Sequence, residues 1–219
     1  MVEIDESGPR RRVLDAAHAV FAARTFEGAQ MPLIAERAKA GMATVYRYFP
    51  SKTVLGNAAY RDARGDLVAR LKHLQERSYP SREQEFAHIW RCYTAFATER
   101  PAALEFISRP NATFLDAQSL ALQDECHTLG KDFIRRGQAT GAIRPGRPRT
   151  LIMMAHGAFT GWLRHTPPCT PGSLPPGSDQ ARDAVWALLA RPSGPGPNDE
   201  GSATGSRSGP RRGTAAGMV

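Results

Sequence analysis

Apolar residues recur every three to four positions through most of this chain, in runs separated by Gly, Pro and Ser. Val13, Leu14, Ala17, Val20 and Phe21 form the first stripe, which Phe26 closes. Pro32 suits an early helical position, so a second helix starts near Met31 and turns Ile34, Ala35 and Ala38 inward. Lys39-Ala40-Gly41 interrupts the period, with Gly41 as the expected corner. Met42–Phe49 then reads as a helix too short to stand alone, anchored by Val45 and Phe49 four residues apart. Pro50 ends it, and Ser51 can cap a long helix from about Lys52 to Leu74. Leu55, Ala58, Ala59, Leu67 and Leu71 give that helix a mixed stripe, which Gly56 and Gly65 weaken.

Past the break at Ser78–Ser81 the runs grow more aromatic. Phe86, Ile89, Trp90, Tyr93 and Phe96 predict a helix to about Glu99, and Pro101 opens a short one with Leu104, Phe106 and Ile107. Leu122, Cys126, Leu129 and Phe133 share a face of Asp116–Gly137. Thr150–His165 is apolar and rich in small residues, and Asp179–Ala190 makes the last helix. The predicted class is all-α. After Arg191 come seven glycines, four prolines and four serines with almost no large apolar residue, the composition of a disordered tail.

Length and composition narrow the setting. A chain of 219 residues with 41% hydrophobic content can bury a real core. A formal net charge of +8 suits an anionic partner. Cys92, Cys126 and Cys169 are odd in number and far apart, which fits neither a disulfide scaffold nor a metal site. No stretch reaches 18 apolar residues and no apolar leader opens the chain, so the expected setting is cytoplasmic, with no membrane partner. No catalytic signature is visible: no G-x-S-x-G elbow, phosphate loop, dinucleotide fingerprint or H-E-x-x-H. His127, His156 and His165 lack diagnostic metal spacing. The expectation is a non-enzyme without metal or cofactor.

The helix–corner–helix at Ile34–Lys52 has the spacing of a DNA-binding helix-turn-helix, whose second helix enters a major groove. An ordinary αα-corner has the same spacing. Thr44, Tyr46, Arg47, Tyr48 and Lys52 crowd donors into nine positions, and phosphate contacts draw on such groups. Ile34-Ala35, Ala38, Thr44-Val45-Tyr46, Tyr48-Phe49 and Ser51-Lys52 together resemble the N-terminal domain of the TetR/AcrR family of bacterial transcription regulators. The resemblance covers about residues 11–55. Lys39, Ala40, Gly41 and Ala43 depart from the family pattern, and a left-handed Lys would cost about 1 kcal/mol.

The resemblance implies a dimeric regulator that binds a near-palindromic double-stranded operator and answers to a small-molecule effector. It divides the chain into a flexible start (1–9), a DNA-binding head (10–51), a connector helix (52–77), an effector-binding and dimerisation body (78–191) and a tail (192–219). Tyr46, Tyr48 and Lys52 are implied backbone contacts. Arg11, Met42, Ala43, Thr44 and Arg47 complete the implied DNA-facing set. Phe86, Trp90, Tyr93, Phe106, Phe133, Met153, His156 and Phe159 are the candidate effector contacts, with His156 the best polar anchor. Ala155, Ala158, Trp162, Val185, Leu188 and Leu189 are the implied dimer contacts. The expected effector is modest in size and mostly apolar: neutral, planar or acyl-like. A repressor is the leading reading. An activator with the same head, a relative that has lost operator binding, and a helical enzyme or metal protein are the alternatives.

Overall fold

The computed structural model describes residues 8–109, 113–167, 170 and 173–192. The flexible start expected for 1–9 falls largely outside them, as do Cys169 and all of the expected tail beyond Pro192. Helices α1 (Pro9–Gly28), α2 (Met31–Arg37) and α3 (Met42–Tyr48) form an N-terminal three-helix head. Helix α4 (Lys52–Gln75) joins it to a larger body of α5 (Arg82–Glu99), α6 (Pro101–Ser108), α7 (Ala117–Ala139), α8 (Pro148–Arg164) and α9 (Ser178–Leu189). The architecture is all-α, as the periodicity predicts.

The head closes over Val13, Ala17 and Phe21 of α1, Ile34 of α2, and Val45 and Phe49 around α3, all buried. Helix α1 is interrupted at Thr25 (φ 61°, ψ 170°), a region that costs a non-glycine residue about 1–3 kcal/mol. The reversal brings Phe26 back to 5.5 Å from Phe21 and stacks it on Phe114 at 3.8 Å. Ser51 caps α4, its hydroxyl accepting from the Val54 amide at 3.2 Å.

The corner between α2 and α3 differs from the expectation that Gly41 makes the turn. The left-handed residue is Lys39 (φ 50°), while Gly41 is extended (φ −66°, ψ 148°) and precedes α3. The Ala40 amide donates to the Ala35 carbonyl and the Lys39 amide to Glu36, both at 3.0 Å, which is the two-bond ending of a Schellman cap. The hydrogen bonds hold a conformation that the Lys side chain opposes.

Gly56 has a packing role rather than a hinge role. A Cβ there would lie 2.6 Å from the Phe26 ring and 3.1 Å from Phe114, so only glycine lets the stacked pair sit on α4. Phe106 of α6 continues the stack, 5.1 Å from Phe21 and 6.1 Å from Phe114. Beside it runs a chain of ion pairs. Arg11 meets Asp62 at 2.9 Å, Asp62 meets Arg100, Arg100 meets Asp66 at 3.0 Å, and Arg70 joins Asp66 to Glu99 at 2.8 Å each. Buried Asn57 donates to the Phe114 carbonyl and accepts from the Asp116 amide, both at 2.8 Å. Head and body therefore share one core.

In the body, α7 packs on α4, α8 on α7, and α9 on α5 and α8. Gly137 leaves the space on α7 that the Ile143 side chain fills. Ile143 pairs with Ala190 across an antiparallel bridge, with Arg144 donating to Leu189 at 2.9 Å and Arg191 to Ala142 at 3.0 Å. The bridge fixes the end of α9 against the α7–α8 turn, closing a cavity among α4, α5, α7, α8 and α9.

Candidate functional site

Two surfaces carry the chemistry that the sequence singled out. The first is α3. Val45 and Phe49 anchor it from below, leaving Ala43, Tyr46 and Arg47 exposed and Met42, Thr44 and Tyr48 half-buried. Tyr46 is 46% exposed, so its hydroxyl is available rather than sealed in a core. The Arg47 guanidinium lies 5.0 Å over the Tyr48 ring and donates to its hydroxyl at 3.3 Å, which holds a flexible cation upright. From Arg37 to Lys52 the chain carries Arg37, Lys39, Arg47 and Lys52 and no carboxylate. The outward side of this short, firmly seated helix carries donors and small side chains and no negative charge.

Two residues of the implied DNA-facing set are placed otherwise. Arg11 turns toward the junction, where Asp15 at 2.8 Å and Asp62 at 2.9 Å hold it. The Lys52 ammonium donates to the carbonyls of Glu27 and Ala29, both at 3.1 Å, and sits 4.8 Å from the Phe26 ring centroid. It clasps the end of α1, and only its third N–H remains for a phosphate.

The second surface is the body cavity, of about 160 Å³. Phe86, Trp90, Tyr93, Phe133, His156 and Phe159 line it. Phe106 does not: it is buried in the aromatic stack at the head–body junction. Met153 does not either, since its position on α8 points outward and leaves it 63% exposed. Helical spacing puts a side chain on a face but does not say what that face meets. Three of the implied dimer contacts, Ala155, Val185 and Leu189, line the same cavity, with Val185 and Leu189 buried within the chain. Ala158, Trp162 and Leu188 are half-buried against the core. The exposed face of α8 and α9 instead presents Met153, Met154, Gly157, Ala184 and Ala187.

The cavity also holds polar groups absent from the sequence-derived set: Arg64, Gln75, Glu85, Cys126 and His127. Arg64 was legible in principle, because it falls on the Tyr60–Leu67–Leu71 face of α4. Burial lowers the pKa of His156, and the Arg64 guanidinium lowers it further; His127 is depressed by the same two causes. Burial raises the Tyr93 phenol well above its ordinary range and pushes Cys92 up to about 11, so neither ionises near neutrality. Trp90 is fixed by donation from Nε1 to the Ser178 hydroxyl at 2.9 Å. Among the described residues no group of three or more His, Cys, Asp or Glu is placed to hold a metal, and no helix is long and apolar enough to cross a membrane.

The family model described as "Bacterial regulatory proteins, tetR family" matches residues 13–59, and "Tetracyclin repressor-like, C-terminal domain" matches residues 65–165. The HTH-type transcriptional repressor KstR of Mycolicibacterium smegmatis is 48% identical over 46 residues, 21% of this chain and 22% of that protein. The match thus spans about a fifth of the curated relative. Many solved structures share the fold, AibR and KstR2 among them. AibR, in complex with isovaleryl coenzyme A and operator DNA, aligns with TM-score 0.68 at 18% identity, covering 85% of this chain and all of that one. The ketosteroid transcriptional regulator KstR2 of Mycobacterium tuberculosis aligns with TM-score 0.65 at 16% identity, covering 85% and 97%.

Proposed function

Because the chain belongs to the TetR family of bacterial regulatory proteins, we propose that it is a dimeric, operator-binding transcriptional repressor whose DNA affinity is set by a small molecule in the body cavity. The observation that carries this reading is α3: Val45 and Phe49 seat it, and Ala43, Tyr46 and Arg47 stand exposed within a segment free of carboxylates. Tyr46, Arg47, Thr44 and Tyr48 supply the phosphate contacts, and Ala43 with the half-buried Met42 meets base edges or thymine methyls. Lys52 contributes mainly by holding the α1–α2 corner in shape.

Two heads are needed to read a near-palindromic site. The pairing surface is the exposed face of α8 and α9. A Cβ at Gly157 or Gly161 would meet nothing within 4 Å, so the intrachain packing does not require glycine at either position. Flat helix surface beside the exposed Met153 and Met154 is what a second copy would pack against. The effector acts by linkage: it lowers operator affinity only as far as it binds the DNA-incompetent arrangement more tightly.

The test is selection of duplexes from fragmented genomic DNA by the full chain. One enriched near-palindrome, bound by two copies with an affinity that falls steeply with salt, is the expected result. Arg47→Ala should lower affinity for that duplex and reduce the salt slope by about one unit. No enriched duplex, or a chain that stays monomeric with its duplex, overturns the reading.

A further inference from the structure

We propose that the cavity binds a small amphipathic carboxylic acid, with its carboxylate on Arg64 and its hydrocarbon part among Leu71, Phe86 and Phe133. The proposal rests on the cavity being the effector site and names the chemistry it selects.

The three arginines of α4 differ in their partners. Arg61 pairs with Asp116 at 2.7 Å, and Arg70 pairs with Asp66 and Glu99 at 2.8 Å. Arg64 alone of the three, among the described residues, contacts only neutral groups. Its Nη2 donates to the Ile107 carbonyl at 2.6 Å, Nε to the Tyr60 hydroxyl at 3.2 Å, and Nη1 to the Cys126 sulfur at 3.6 Å. These bonds leave N–H groups on both terminal nitrogens of a five-donor guanidinium. They do not neutralise its charge. The carboxylate on the cavity wall, Glu85, is buried and already held by Arg136 at 2.6 Å and by Arg82. It also lies two turns of α5 away from Tyr93.

A cation facing an apolar space without a counter-ion is the complement of a ligand anion. The planar fork favours a carboxylate, which it can hold by two parallel bonds. His156 and His127 strengthen this end. Both are kept neutral by burial and by Arg64, so each can offer an N–H without adding a second charge. Leu71, Leu74, Phe86 and Phe133, also on the cavity wall, offer hydrocarbon contact. A volume of about 160 Å³ suits a body of the size of one aromatic ring or a short branched chain. The ligand is therefore a monoanion, not the neutral molecule that composition alone suggests. The same guanidinium holds the Ile107 carbonyl, at the end of the helix whose Phe106 packs on the head, so a ligand on it touches the link between body and head.

The experiment uses the full chain and matched probes: benzoate, 3-phenylpropanoate and 3-methylbutanoate, each beside its primary amide and the corresponding amine. Binding is followed by tryptophan fluorescence and thermal shift, and release of the selected duplex is followed separately. At least one acid should bind about tenfold to a hundredfold more tightly than its amide, with the amine weakest. Arg64→Met should bring the acid down to the affinity of the amide while leaving the amide unchanged. Arg64→Lys, which keeps the charge and loses the fork, should fall between. The acid–amide comparison on the unsubstituted chain stands even if a variant fails to fold. Amides or amines binding as well as acids, acids bound undiminished by a folded Arg64→Met, or no binding by any probe would each overturn the proposal. An acid that binds through Arg64 without releasing the duplex would uphold the ligand chemistry and overturn only its role as effector.

Discussion

Phe21, Phe26, Phe106 and Phe114 meet one another at the head–body junction with centroids between 3.8 and 6.1 Å apart, and all four are buried. Phe86, Trp90, Phe133 and Phe159 also touch, between 5.2 and 6.3 Å, yet they stand around a cavity. Both groups are aromatic and both are drawn from several elements of the chain. What differs is the small residue opposite and the charge enclosed. Gly56 lets the first group pack onto α4, whereas two turns further along Arg64 lines the cavity that the second group surrounds. One helix thus separates a packed joint from an open chamber.

The largest expected effect tests that contrast directly. Phe106→Ala removes a ring whose neighbours cannot refill the space, and should lower stability by about 3–5 kcal/mol. Phe133→Ala enlarges a cavity that already exists and should cost about half as much, while altering ligand affinity. Equal losses in chemical denaturation would erase the distinction between joint and chamber.

A middle-sized effect comes from glycine. Gly56→Ala drives a methyl into the Phe26 ring and should destabilise by about 1–3 kcal/mol. Gly157→Ala, on open helix surface of the body, should stabilise an isolated subunit by about 0.5–1 kcal/mol. Its effect on pairing, read by light scattering, would show whether a second copy approaches that helix more closely than a methyl allows. If Gly56→Ala leaves the melting temperature unchanged, the aromatic stack is less confined than described.

The smallest effect concerns the corner. Lys39→Gly relieves a left-handed side chain and should stabilise by about 1 kcal/mol, less the entropy that glycine adds to the unfolded chain. Since Lys39 also belongs to the basic strip, operator affinity should fall slightly as stability rises. A loss of stability would mean that the Lys side chain contributes more to the corner than its backbone strain removes.

Much of the fold was legible because periodicity and punctuation agreed. Pro32, Pro101 and the capping Ser51 mark helix starts that the structure also has, and Pro50 follows the end of α3. The α3 surface was legible for the same reason: Val45 and Phe49 leave few ways to orient seven residues. The cavity was half legible. Phe86, Trp90 and His156 lie on inward faces, but so does Phe106, and only tertiary contact separates a wall from a joint. Arg64 was missed because an arginine on a long helix ordinarily lies in water. The resemblance places Lys52 on the DNA backbone, but its carbonyl partners at Glu27 and Ala29 come from a corner that no local pattern specifies.

The stacking of Phe21 on Phe106 has a consequence for how the chain is made. Synthesis proceeds from the N-terminus, so α1 leaves the ribosome long before α6 exists. At about 5–20 residues per second, Phe21 waits on the order of ten seconds for its partner. During that interval the three head helices can associate, but the α1 face meant for α6 stays bare. The N-terminal head, although first to be translated, is therefore not finished until the body's second helix has arrived.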